Sequence, residues 1–334
     1  MTLEELLDAA RTRIAVADEE LDEARRRRAL VAQALRAEFP GCRIAFNGSL
    51  AHRDANDPLT DFDIVVVVPD RQADYGPRRK SAADLKERAR TAIREALIDE
   101  FPDLRIEVAG RKRSVLVRFS DPVTRRAVDF TGDVIIGIDH NEKGLWIPRY
   151  ASWDRSHPEE HTRLVEAAIR RTNGVYAHAM RLIKYWNVHH GKPFCSWHLK
   201  VLAFDAVKSE VPLIGALQAF FTHAVDAVAA GPTPDPAGVG PELNPTLSST
   251  EAVKRLNTAL ANVRDAIAAD KDNRPLRAQA ELAKLLPDII TFPDEISLED
   301  EDRLHEVDRL KHSPWTGVGP GASLSLPKTR GWRP

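Results

Sequence analysis

The apolar positions of this chain recur at two different periods, and the change between them divides it. Leu3, Leu7, Ala10, Ile14, Ala17, Leu21, Ala24, Val31 and Leu35 follow a three-four spacing, which predicts one long helix over residues 3–37. Its many alanines make weak coiled-coil knobs, so the helix is expected to pack across the back of the protein. Pro40-Gly41 stops it. Short strands are then expected at 43–47 and 62–68. The second holds Ile64-Val65-Val66-Val67-Val68, an unbroken apolar run of the kind a central buried strand needs. A helix over 80–100 and strands near 105–109, 114–119 and 126–136 complete a mixed α/β unit. From about residue 159 the pattern is helical, with helices expected at 159–173, 175–190, 196–208, 212–229, 248–270 and 274–286. Residues 231–245 read as a Pro/Gly-rich surface loop. Residues 294–308 are acidic, and 313–334, rich in Gly, Pro and Ser, read as a flexible tail.

The fold class expected is α+β, with three parts: residues 1–155 as leading helix and mixed-sheet core, 156–312 as a helical domain, and 313–334 as tail. Composition narrows the chemistry. Charged residues make up 29% of the chain, yet the net charge is only −2. A protein that grips long nucleic acid through many phosphates is usually basic, so small anionic substrates fit better and no long nucleic acid is expected. The run Arg25 to Arg28 reads as a solvated helix face. Cys42 and Cys195 read as buried structural thiols, with no zinc spacing. No leader-like apolar stretch and no apolar run of transmembrane length is apparent, so the expectation is a cytoplasmic protein without a membrane.

The chemistry concentrates in Asn47-Gly48-Ser49-Leu50 and Thr60-Asp61-Phe62-Asp63-Ile64. Gly48-Ser49 follows a strand and opens a helix, where backbone N–H groups and a hydroxyl can hold a triphosphate. Asp61 and Asp63 sit two apart on a strand, so both carboxylates share a face. Co-facial acids repel one another but suit a hard divalent cation. A two-metal site needs a third acid from a neighbouring strand. Asp129, inside the apolar Ala127-Val128-Asp129-Phe130, is the first choice. Asp133, on the same face by parity, is the fallback, because Gly132 suggests that the strand is already bending there. Tyr185, Trp186, His178 and His198 read as packing residues, and His189-His190 as a solvated helix end.

Gly-Ser, a spacer, Asp-hydrophobic-Asp and a later lone Asp together resemble the polymerase-β-like nucleotidyltransferases. Asn173-Gly174, Arg181-Leu182-Ile183-Lys184-Tyr185-Trp186 and Ser196-Trp197-His198-Leu199 resemble the helical domain of its poly(A) polymerase, oligoadenylate synthetase and bacterial cGAS/DncV-like (CD-NTase) branches. The resemblance covers about residues 40–210 with the leading helix. It implies a polymerase-β-like core and two Mg²⁺ ions on Asp61, Asp63 and Asp129. It also implies nucleotide contacts from Gly48, Ser49, Asn173, Lys184 and Ser196. Within the superfamily, the leading helix, near-zero charge and length resemble CD-NTases, which join NTPs into cyclic di- or trinucleotide messengers in anti-phage defence. The substrates implied are NTPs, ATP among them. An RNA-terminal (CCA-adding) nucleotidyltransferase and a catalytically silent nucleotide sensor are the alternatives. The tail resembles those that a conjugating or activating partner acts on, but it ends Gly331-Trp332-Arg333-Pro334 where those end in a small residue.

Overall fold

The computed structural model describes residues 1–70, 74–124 and 129–311. The expected tail therefore lies outside the described residues, as do Arg126, Ala127 and Val128 of the expected third-acid strand. The expected leading helix is two helices. Helix α1 (Leu3–Arg13) is opened by a Thr2–Glu5 capping box, and α2 (Asp18–Glu38) follows after a four-residue break. The break has a clear position. Ile14 is buried in the core of the helical half and Val16 in the core of the sheet half. The break thus falls where the chain crosses from one core to the other.

Seven strands form one sheet: β1 (Arg43–Asn47), β2 (Asp61–Val68), β3 (Arg105–Glu107), β4 (Ser114–Arg118), β5 (Thr131–Asp139), β6 (Leu145–Arg149) and β7 (Ser152–Ser156). The order is β1-β2-β5-β4-β3, with β6 joining β5 and β7 joining β6. Among these seven strands of the described residues, only β2 and β5 run parallel; their other pairings are antiparallel. One turn of helix, α3 (Gly48–Ala51), follows β1, and α4 (Ala82–Leu97), capped by Ser81, lies with α2 over one face of the sheet. Phe62, Ile64, Val66 and Val134 point into that core and are fully buried. The opposite face carries Val65 and Val67 at one end and Asp61 and Asp63 at the other.

The helical half comprises α5 (Pro158–Arg171), α6 (Val175–His189), α7 (Ser196–Ala206), α8 (Leu213–Ala230), α9 (Ser249–Lys271), α10 (Pro275–Leu285) and α11 (Glu295–Lys311). Helix α8 is long and apolar enough to cross a membrane, which the sequence reading missed. Its Phe220 and Phe221 are instead buried in the helical core, and α1 adds Leu3, Leu6, Leu7 and Ala10 to the same core. Trp186 and His198 are buried there as expected, Tyr185 and His178 are only half-buried, and Cys195 is exposed rather than buried.

The run Arg25 to Arg28 is not simply solvated. Arg27 is only 1% exposed, held by Glu23 at 2.7 Å and Asp129 at 3.1 Å. Its guanidinium also lies 4.9–5.1 Å from the ring centres of Phe101, Phe119 and Phe130. A buried cation without such partners would cost several kcal/mol.

Candidate active site

The Asn47 side chain ends β1 by accepting the Gly48 N–H at 2.7 Å. Gly48 has φ +74, and a Cβ there would lie 1.6 Å from Asp63 Oδ2. Only glycine meets both constraints, so the Gly48-Ser49 turn is pressed against the acidic end of β2. In the β2–β5 register, Asp63 pairs with Asp133 and Asp61 with Thr131. Asp61, Asp63 and Asp133 therefore share one face. Thr60 Oγ1 donates to Asp61 at 3.1 Å, and Ser114 Oγ donates to Asp133 at 3.0 Å, with Arg111 at 3.5 Å. Burial, then the charges of Asp61 and Asp133, push the Asp63 carboxyl up to about 7. Burial, opposed by the Thr60 hydrogen bond and reinforced by the charge of Asp133, also raises Asp61.

Asp129, the first choice for the third acid, is elsewhere. It precedes β5, takes the Arg27 guanidinium, and accepts the Asp121 N–H at 3.1 Å. The fallback Asp133 is the acid brought to Asp63. The sequence reading took Gly132 for a bend, but it lies inside β5. A Cβ on it would come within 2.6 Å of the Phe62 ring, so glycine is there for clearance and the strand runs straight through.

Across from the acids, α6 and α7 supply two cations. Lys184 Nζ lies 3.2 Å and Lys200 Nζ 2.8 Å from the carboxylate of Asp54, which is 1% exposed. Burial pushes Asp54 up, but the charges of Lys200 and Lys184 outweigh it and hold it below the ordinary range. Two lysines against one aspartate leave a positive wall facing Asp61 and Asp63, with Asp133 beside Asp63 on the neighbouring strand. Between them lies a cavity of about 470 Å³, lined among others by Gly48, Ser49, Asp61, Asp63, Lys184 and Ser196. Ser196 is the first residue of α7, with Cys195 as the cap. Asn173 does not join them. It is exposed in the α5–α6 turn, with φ +49, and donates to Glu210 at 3.2 Å.

The sequence reading missed Lys200, Asp54, His52, Trp197 and His161, all of which line or support the cavity. One signal existed: Lys200 interrupts the apolar stretch Leu199-Lys200-Val201-Leu202, as Asp129 interrupts its own. The Trp197 ring packs on His161 at 4.2 Å, and His161 Nε2 is 2.9 Å from Asp235. Asp235 also accepts the N–H groups of Val239 and Gly240, so the Pro/Gly-rich loop braces this aromatic wall. A larger hollow of about 880 Å³ beside α11 is lined by Asp272, Asp300, Glu301 and Asp308, which would repel an anion.

The donor set suits a hard divalent cation: three carboxylates on one face of neighbouring strands, of which Asp61 and Asp63 are raised by burial and by neighbouring carboxylate charge. Among the described residues, no group of three His, Cys, Asp or Glu side chains is gathered closely enough to hold an ion by itself. The positive wall suits a polyphosphate.

No protein-family model matches the chain, and no curated protein matches it either. Solved structures do. CdnC of E. coli MS115-1, determined with ATP, aligns with a TM-score of 0.64 at 16% identity, over 87% of this chain and 99% of that one. The Bradyrhizobium diazoefficiens CD-NTase CdnG in complex with GTP aligns at 0.60 and 16% identity, over 85% and 98%. The Vibrio cholerae DncV cyclic AMP-GMP synthase, in complex with the linear intermediate 5′ pppA(3′,5′)pG, aligns at 0.56 and 13%, over 86% and 87%. This chain has the CD-NTase fold.

Proposed function

We propose that this chain is a Mg²⁺-dependent nucleotidyltransferase that joins NTPs, ATP among them, into a cyclic di- or trinucleotide second messenger. The observation that carries the reading is the opposition of Asp61 and Asp63, with Asp133 paired to Asp63 on the next strand, to Lys184 and Lys200 across one cavity. The ATP, GTP and linear intermediate bound by proteins of the same fold support it. Asp61, Asp63 and Asp133 would hold two Mg²⁺ ions, whose charge offsets the triphosphate and favours loss of the attacking ribose proton. Gly48 brings the turn close enough for Ser49 to meet the phosphates on the acidic side. Lys184 keeps part of its ammonium open to the cavity and, with Ser196, meets the β and γ phosphates. Trp197 and His161 offer flat faces for a base. Synthesis of such messengers in anti-phage defence is the role this reading implies.

The test is incubation with radiolabelled NTPs and Mg²⁺, with and without tRNA, then phosphatase and thin-layer chromatography. A phosphatase-resistant small product from NTPs alone is expected. Label on tRNA, with tRNA binding that collapses as salt rises and no product in its absence, would replace the reading with RNA-end extension.

The two candidate third acids separate by substitution. Asp133→Asn is expected to cut turnover by roughly 10²–10³-fold with the fold kept. Asp129→Asn is expected to keep most activity and to lose about 1–3 kcal/mol of stability, because Arg27 loses a buried counter-charge. The opposite pattern in steady-state rates and urea melts would restore Asp129 as the metal-side acid.

A further inference from the structure

Lys200 has a second buried contact besides Asp54. Its Nζ lies 2.7 Å from His52 Nδ1. An ammonium has only donors, so Nδ1 accepts and the ring proton sits on Nε2. That nitrogen is 3.2 Å from Thr162 Oγ1 on α5. The Thr162 hydroxyl is in turn 3.2 Å from Asn47 Oδ1, the atom that holds the Gly48 N–H, and farther, 3.4 Å, from the Phe46 carbonyl, so its one proton goes to Asn47. His52 is 2% exposed, and burial followed by the neighbouring Lys200 charge keeps it neutral, pushed down to about 3. The chain of contacts runs without a gap from α7 through the loop after α3 and α5 to the turn against Asp63.

We propose that Lys200, His52 and Thr162 form a positioning relay by which the helical half sets the Gly48-Ser49 turn for triphosphate binding. This rests on the nucleotidyltransferase reading. Asn47 Oδ1 accepts two hydrogen bonds, one from Gly48 and one from Thr162. The second fixes the rotamer that makes the first. Without the Thr162 hydroxyl the Asn47 amide is held by the Gly48 N–H alone, and Gly48, permissive at positive φ, loses part of its restraint. None of the three residues has to touch the phosphates for this to matter. They act on where the turn sits before the nucleotide arrives.

Thr162 gives the cleanest test because Val replaces it with nearly the same shape and no hydroxyl. Binding of Mg-ATP and of Mg-tripolyphosphate is measured by calorimetry on the full chain, with thermal melts alongside. Thr162→Val is expected to weaken both probes by a similar factor, about fivefold to tenfold, consistent with one hydrogen bond. Thr162→Ser is expected to recover most of that loss. His52→Asn keeps an acceptor for Lys200 but cannot reach Thr162, and is expected to match Thr162→Val. Unchanged affinities in Thr162→Val with a wild-type melt overturn the relay alone. A loss that Thr162→Ser does not recover also overturns it, since packing rather than the hydroxyl would then be responsible. Failure of the wild type to bind either probe overturns the function reading and the relay with it.

Discussion

Replacing Asp61 and Asp63 together by Asn is expected to abolish product, by at least roughly 10³-fold, while making the metal-free protein more stable at pH 8. The two effects share one cause. Burial and the charges of Asp61 and Asp133 push Asp63 up to about 7, well above the ordinary carboxylate range. The folded state therefore holds that proton more tightly than the unfolded chain. Stability falls as pH rises from about 4 to about 7, and the full penalty, on the order of 2–4 kcal/mol, stays above it. Asparagine carries no charge and escapes the penalty. Melts in EDTA should show variant and wild type close together near pH 4 and furthest apart above pH 7. Adding Mg²⁺ with ATP should raise the wild-type melting temperature and leave the variant nearly unmoved. Retained activity in the variant would sink the functional reading, and a less stable variant at pH 8 would show that the acids do not repel as described.

The second large effect belongs to Asp54. Removing it strands Lys184 and Lys200 side by side with no carboxylate in contact, and Lys200 is only 5% exposed. Asp54→Ala is expected to cost about 3–5 kcal/mol in urea unfolding, the usual cost of breaking a buried pair from one side. A bound triphosphate would supply the missing negative charge. The loss should therefore shrink when Mg-tripolyphosphate is present, beyond the rise seen for wild type. A cost under about 1 kcal/mol would mean that water reaches the lysines freely and that the positive wall is weaker than drawn.

Much of the α/β half was legible because its signals are local. Ile64 to Val68 can be little other than a buried strand, and the Asp61–Asp63 spacing puts two acids on one face whatever the rest does. The helices of the second half were legible from apolar spacing, except α11, whose charge masked it. The strands β6 and β7 were not seen, because Pro148, Arg149 and Arg155 break any alternation. What failed depended on distant partners. Asp129 looked like a costly buried acid, which it is, but its cost is met by Arg27, 102 residues away in sequence, and not at the site. Gly132 looked like a bend because the Phe62 ring above it cannot be read from a single strand. Asn173-Gly174 carries the signal of a helix-ending turn, and the structure uses it as one, away from the cavity. Lys200 was passed over because a lysine in an apolar helix usually reaches out to solvent, whereas this one meets Asp54 and His52 inside.

The placement of α1 sets an order of events during synthesis. Its Glu4 carboxylate accepts the N–H groups of Leu213 and Ile214 at 2.8 and 2.9 Å, capping the start of α8. Those partners are about 210 residues later in the chain. At 5–20 residues per second, Leu3, Leu6, Leu7 and Ala10 leave the ribosome roughly 10–40 s before the helix they pack against exists. Through that interval α2 can settle on the finished sheet, while the apolar side of α1 waits in water or in a chaperone. The earliest segment made thus docks among the latest. A nascent chain halted after residue 157 should expose Leu3–Arg13 to protease while protecting α2, and release of the full chain should close that window.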